Sequence, residues 1–178
     1  MAKIIPLLTS ETFVKEISPI SDNLSGKYLL SAIREAQEIH LKSVIGTALL
    51  ERCKELVRLD ELHNPDNSNY AELVERCRYY LAYWAIAECA MKVSYKVANA
   101  GVVRTTDEHL QSPTYAEVAL IDKQYRNRAD FYCYELQKWL CANTSKYPEL
   151  SKGDCAQIGA NLRSSASCGI FLGGARGK

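Results

Sequence analysis

Two stretches of helical periodicity, each about thirty residues long, constrain this chain more than any other feature. Between Tyr70 and Asn99 a seam runs through Ala71, Val74, Cys77, Leu81, Trp84 or Ala85, Cys89 and Lys92 or Val93. Between Thr114 and Asn143 a second apolar side runs through Tyr115, Val118, Ala119, Tyr125, Ala129, Tyr132, Leu136 and Leu140. Recurrence at three- and four-residue steps is the signature of a helix with one buried face. Helices of this length must find long partners, so the pattern predicts a bundle. In the first of them Ala82, Ala85, Ala87 and Ala90 allow close helix contact, and Tyr79, Tyr80 and Tyr83 are expected on the opposite, exposed side.

Shorter helices precede these two. Thr9 or Ser10 is placed to cap a helix over Glu11–Ile17, which Ser18-Pro19 stops because the residue before proline avoids the α region. A second helix is expected from Ser25 to Lys42 through Leu29, Ile33, Ala36 and His40 or Leu41. Gly46 is the natural hinge after it. Thr47 is the expected cap of a third helix carrying Leu49, Leu50, Cys53, Leu56 and Val57. The polar run 63–69 is a loop. Gly101 is expected to end the fourth helix, with a short extended stretch, Val102 to Thr106, and a loop to Pro113 before the fifth. Pro148 closes the helical region. The fold class is therefore all-α: a bundle of about five helices, two of them long, with a short loop or hairpin between those two.

From Ser151 the composition changes. Glycine and serine become frequent, and Lys152, Arg163, Arg176 and Lys178 face a single carboxylate, Asp154, for a net charge of +3. The apolar triplet Ile170, Phe171 and Leu172 stands alone in this polar stretch. Such a segment forms no core of its own and orders only on a partner, if at all. The expected organisation is a helical domain over residues 1–150 and a Gly/Ser-rich C-terminal arm over 151–178.

Bulk properties narrow the function. The net charge over 178 residues is +1, which argues against binding nucleic acid through a general basic excess. The cysteines, Cys53, Cys77, Cys89, Cys133, Cys141, Cys155 and Cys168, are odd in number and lack C-x-x-C spacing, so free thiols in a reducing cytoplasm are expected. The N-terminus lacks the apolar core of a signal peptide, and no stretch reaches the roughly 20 apolar residues of a membrane span. A soluble protein made inside a cell, without membrane partners, is the expectation.

Catalytic constellations are sparse. Asp60 and His63 have metal-like spacing but lack further ligands, and they lie at a helix end. His40, on the buried side of its helix, is expected to be a packed, hydrogen-bonded residue, since no nucleophile accompanies it. His109 lies in a loop with Asp107 and Glu108. Gly173-Gly174 has neither the preceding strand nor the following helix of a phosphate loop. The chain is expected to be no enzyme and to need no cofactor. Lys123, Arg126 and Arg128, interleaved with Tyr125, Phe131 and Tyr132, form a candidate DNA or charge patch; the competing reading is a solvated face paired with Asp122 and Asp130. Eleven tyrosines and two tryptophans favour protein assembly.

One pattern sharpens this. Leu8-Thr9-Ser10-Glu11-Thr12-Phe13, then the helix ending Ala36-Gln37-Glu38-Ile39-His40 and Val44-Ile45-Gly46, resembles the opening of head–tail connector proteins of tailed bacteriophages. Asn99-Ala100-Gly101-Val102-Val103, Tyr125-Arg126 with Ala129, and Leu140-Cys141-Ala142-Asn143-Thr144 with Tyr147-Pro148-Glu149 are similar to connectors of Bacteroidetes phages, including crAss-like ones. The resemblance spans residues 5–150. It implies an all-helical structural adaptor in the virion, assembled in the host bacterial cytoplasm. It implies self-association into a dodecameric ring below the portal protein. Such a ring extends the channel through which packaged DNA passes and docks the next tail or ring protein. Candidate partner-binding residues are then Ile170, Phe171, Leu172, Arg163 and Arg176 in the arm, and Val102, Val103 and Arg104 in the loop region. The alternative is a helical nucleic-acid-binding module.

Overall fold

The computed structural model describes residues 5–20, 24–98, 101–104 and 114–150, with side chains described outside 95–104. The chain is an all-α bundle, as its periodicity predicts. Helix α1, Glu11–Glu16, is capped by Ser10, whose Oγ accepts the Phe13 N–H at 3.1 Å. The next rod comprises α2, Gly26–Glu35, a π-helical segment, Ala36–Leu41, and α3, Lys42–Ile45, without interruption. Gly46 then turns the chain with φ 80° and ψ 163°, a conformation almost confined to glycine. Helix α4, Thr47–Arg58, follows directly. Thr47 is its first helical residue and makes no capping bond; Gly46 occupies the cap position instead.

The polar loop is shorter than its composition suggests. Pro65 opens a 3₁₀ turn, Pro65–Asn67, and the Asn67 side-chain amide donates to the Glu61 carbonyl at 3.0 Å. Helix α5, Ser68–Ser94, therefore begins two residues before Tyr70. It also ends earlier than expected. Tyr95–Ala98 leaves the helix as strand β1 and pairs antiparallel with β2, Gly101–Arg104, in register Tyr95↔Arg104 to Ala98↔Gly101. Gly101 is thus a strand residue and not a helix terminator. Ser94 Oγ donates back to the Ala90 carbonyl at 2.9 Å in the last helical turn. Helix α6, Tyr115–Ala142, opens with a reciprocal cap: Thr114 Oγ1 accepts the Glu117 N–H, and the Glu117 carboxylate accepts the Thr114 N–H.

α5 is the central element. It lies against α2 and the π segment on one side and along α6 on another. Tyr70, Leu73, Val74, Cys77, Tyr80, Leu81, Ala82, Ala85, Ile86, Ala87 and Cys89 are all buried, so more than one of its faces is covered. Tyr80, expected on the surface, is in the core for that reason, and only Tyr79 and Tyr83 stand at the edge. Tyr115, expected on the buried side of α6, is exposed one turn beyond Val118. Beyond α6 the 3₁₀ turn Thr144–Lys146 delivers Tyr147 into the core. Its hydroxyl donates to the Asn69 carbonyl at 2.8 Å, and its ring lies 5.8 Å from Tyr70 and 5.9 Å from Trp139. Gln37, on the π segment, is fully buried. Its Oε1 accepts the Leu8 N–H at 2.9 Å and its Nε2 donates to the Pro6 carbonyl at 3.0 Å, which ties the N-terminal segment to the bundle.

Candidate functional site

The seam between α5 and α6 gathers most of the chemistry. At its centre His40, from the π segment, stacks on Trp84 of α5, and His40 Nε2 lies 3.5 Å from Glu88 Oε1. From α6, the Arg126 guanidinium stands 4.7 Å from the Trp84 ring centroid. It bonds both Asp122 oxygens through Nε, at 2.7 and 2.9 Å, and reaches Glu88 through Nη2 at 3.3 Å. Burial lowers the His40 pKa, and the Arg126 charge acts in the same direction against the opposing pull of Glu88. Burial thus favours the neutral imidazole, held as a packed ring with a carboxylate at its edge.

Along the same seam four tyrosines form a ladder. Tyr79 stacks on Tyr132 at 5.3 Å, Tyr132 on Tyr83 at 5.4 Å, and Tyr83 on Tyr125 at 6.4 Å. Arg128 lies over Tyr125 and Tyr83. Much of the tyrosine excess is thus spent joining two helices. The signal was in the spacing, Tyr79 and Tyr83 four apart on α5 and Tyr125 and Tyr132 seven apart on α6.

These contacts change the standing of the basic patch. Arg126 is held by Asp122 and Glu88, which agrees with the solvated-face reading of Asp122, while Arg128 covers tyrosine rings. Lys123 is exposed. Val102, Val103 and Arg104 lie on β2, with side chains outside the described residues. Ile170, Phe171, Leu172, Arg163 and Arg176 also lie outside the described residues, as do Asp107, Glu108 and His109.

Four of the described thiols are held in the protonated form by burial. Burial pushes Cys53 up to about 12 and Cys133 up to about 11, and raises Cys77 and Cys89 as well. Among the described residues no group of three His, Cys, Asp or Glu side chains is placed to hold a metal ion, and no helix is long and apolar enough to cross a membrane.

What remains is surface. On α6, Leu120, Phe131 and Tyr134 are 62, 60 and 40 % exposed. They sit eleven and fourteen residues apart, near whole helical turns, so they share one face. That face points away from the core side carrying Val118, Ala129, Leu136 and Leu140. Gln124 and Asn127 lie between them and are uncharged. Beside this ridge a groove of about 490 Å³ runs between α5 and α6, lined by Glu72, Glu75, Arg76, Tyr79, Phe131 and Glu135 among others. At the opposite end of α5 an apolar cleft of about 530 Å³ is walled by Pro19, Ile20, Ile86, Val93, Val118 and Ile121 among others.

No curated protein and no solved structure matches the chain. One family does, and its match runs over residues 41–159, from the end of the π segment through α6 and beyond. That span is well over half of the sequence, so the chain belongs to the family of unknown function DUF6712.

Proposed function

We propose that this chain is a structural virion protein: a head–tail adaptor that assembles into a dodecameric ring beneath the portal, lengthens the DNA channel and docks the next tail component. The observation that carries the reading is the two-sided character of α6. One side is core; the other presents Leu120, Phe131 and Tyr134 on a strip roughly 21 Å long. Such a strip, with Gln124 and Asn127 between its apolar residues and the exposed charges of Lys123, Arg128 and Asp130 at its edges, has the pattern of an apolar interface centre with a charged rim. A heterologous contact made through it closes into a ring when the rotation between copies permits. The resemblance to phage connectors supplies the identity of the ring.

The test is the mass of the purified protein in solution, alone and with the portal. A ring-sized species, or a single chain captured by the portal, is expected. Leu120→Glu with Phe131→Glu is expected to abolish either outcome while leaving the helical content intact. A folded single chain that ignores the portal and shifts labelled DNA at low salt would overturn the reading in favour of a nucleic-acid-binding module. The geometry supports that alternative less, because Arg126 is already held by two carboxylates.

A further inference from the structure

The exposed side of α6 carries a periodicity of its own. Leu120, Gln124, Asn127, Phe131 and Tyr134 follow one another at steps of four, three, four and three, and all five are exposed. Alternating steps of three and four hold a stripe against one partner helix, as in a coiled coil. The stripe is not uniformly apolar, because Gln124 and Asn127 are amides. An amide enclosed between helices must meet a polar partner, so it fixes which residues lie opposite each other. From Leu120 to Phe131 the order is apolar, amide, amide, apolar. That order reads the same in both directions, so the helix that matches it is α6 itself, run backwards.

The flanking charges select the same orientation. Lys123 and Asp130 border the stripe on one side, Arg128 and Glu135 on the other, and all four are exposed. Among the described residues neither Lys123 nor Asp130 makes an ion pair. In a parallel pair of α6 helices the two borders would face each other five residues apart. Lys123 would then meet the partner's Arg128, and Asp130 the partner's Glu135, like charge on like in both places. In an antiparallel pair each border faces its own copy. Placing Phe131 on the partner's Leu120 sets Gln124 on the partner's Asn127. The same register brings Lys123 beside the partner's Asp130 on one border and Arg128 beside the partner's Ile121 on the other. Two-fold symmetry makes every one of these contacts twice.

We infer that α6 is a self-pairing helix: two copies of the free chain join through it, antiparallel, with Phe131 on the partner's Leu120, Gln124 on the partner's Asn127 and Lys123 beside the partner's Asp130. A contact confined to one helix from each copy lies at the small end of specific interfaces, under about 1,200 Å², so the pair is reversible. The same strip serves the ring contact, so a paired chain is held out of the ring until the two copies part. The pairing itself does not rest on the ring reading, because it belongs to the free chain.

Sedimentation equilibrium of the full chain without the portal, from micromolar to near-millimolar concentration, tests it. The mass is expected to rise reversibly from one chain to two. Lys123→Glu alone and Asp130→Lys alone each set like charges together twice. Each is expected to weaken pairing roughly tenfold while the helical circular dichroism is retained. An equimolar mixture of the two variants brings opposite charges together at both places and is expected to pair as the wild type does. A wild-type chain that stays single, or that grows past two without forming a pair, overturns the inference. So do single variants that pair as tightly as the wild type, and a mixture that fails to recover. Tighter pairing of Lys123→Glu would mark the parallel arrangement and also overturn it. Capture by the portal is read separately, so failure of the ring reading leaves each of these outcomes as it stands.

Discussion

The imidazole of His40 lies flat on the indole of Trp84, ring centroids 3.6 Å apart and planes 9° from parallel. This contact joins the π segment to α5, and the Arg126 guanidinium at the same indole adds α6. Three elements distant in sequence therefore meet on one ring.

The arrangement has a pH signature. His40 faces Glu88 on α5, Arg126 on α6 and Glu35 on its own rod; burial, helped by the Arg126 charge, outweighs the two carboxylates and lowers its pKa below the ordinary 6.5. In the window beneath 6.5 the unfolded chain binds more protons than the folded one, so this contribution to stability is present above 6.5 and is lost as pH falls. The urea midpoint is expected to drop more between about pH 7.5 and 5.5 in the wild type than in His40→Gln, which cannot titrate. Identical drops in the two proteins would show that His40 contributes nothing to the dependence.

Gln37 offers a sharper stability test. Removing its side chain leaves the Leu8 N–H and the Pro6 carbonyl without their partner in the described fold. Gln37→Ala is expected to cost about 2–4 kcal/mol, from the lost bonds and the space vacated in the core. Equilibrium urea unfolding measures the loss, and hydrogen exchange at Leu8 should quicken before the rest of the bundle opens. A change below about 0.5 kcal/mol would mean that the N-terminal segment is held by other contacts.

At Gly46 the backbone conformation is the constraint. Any L side chain at φ 80°, ψ 163° is strained whatever room surrounds it. Gly46→Ala is expected to destabilise by about 1–3 kcal/mol, read as a lower thermal midpoint with the helical signal otherwise retained. An unchanged midpoint would mean that α3 and α4 can be joined by a different turn.

The thiols make a chemical prediction. Cys53 and Cys77 are buried and their pKa values raised, so alkylation at about pH 8 should leave them unmodified until denaturant is added. Intact-mass measurement follows the count. Rapid labelling of Cys77 in the native protein would indicate that the core around α5 opens readily.

Helix existence was legible because burial repeats along one chain with a fixed period. Leu29, Ile33 and Ala36, or Leu49, Leu50, Cys53 and Leu56, are core residues in the structure as their spacing predicts. The ends of elements were less legible. The β-branched run near Val102 marked an extended stretch, but its partner, Tyr95–Ala98, continues the apolar run of α5 and has no distinguishing composition. Pairing with Gly101–Arg104 takes the chain out of the helix there, a contact that no local pattern encodes. The π segment was hidden for a similar reason. An extra residue per turn leaves a periodic sequence looking helical, and its effect is to carry Gln37 inward.

The candidate surfaces divide the same way. Leu120, Phe131 and Tyr134 were visible as apolar residues, and the sequence placed them on a helix with a defined buried side. That helix, its cap region at Thr114, the charge of the arm and the absence of a long apolar span in the sequence all follow from composition and short-range spacing. Those are properties that each segment carries alone. Which tyrosines are buried, which carboxylates hold Arg126, and which rings meet at Trp84 depended on how α5 is flanked. Helix packing brings together residues 38 to 86 positions apart, and that choice rests on the summed fit of many side chains, which only the tertiary structure decides.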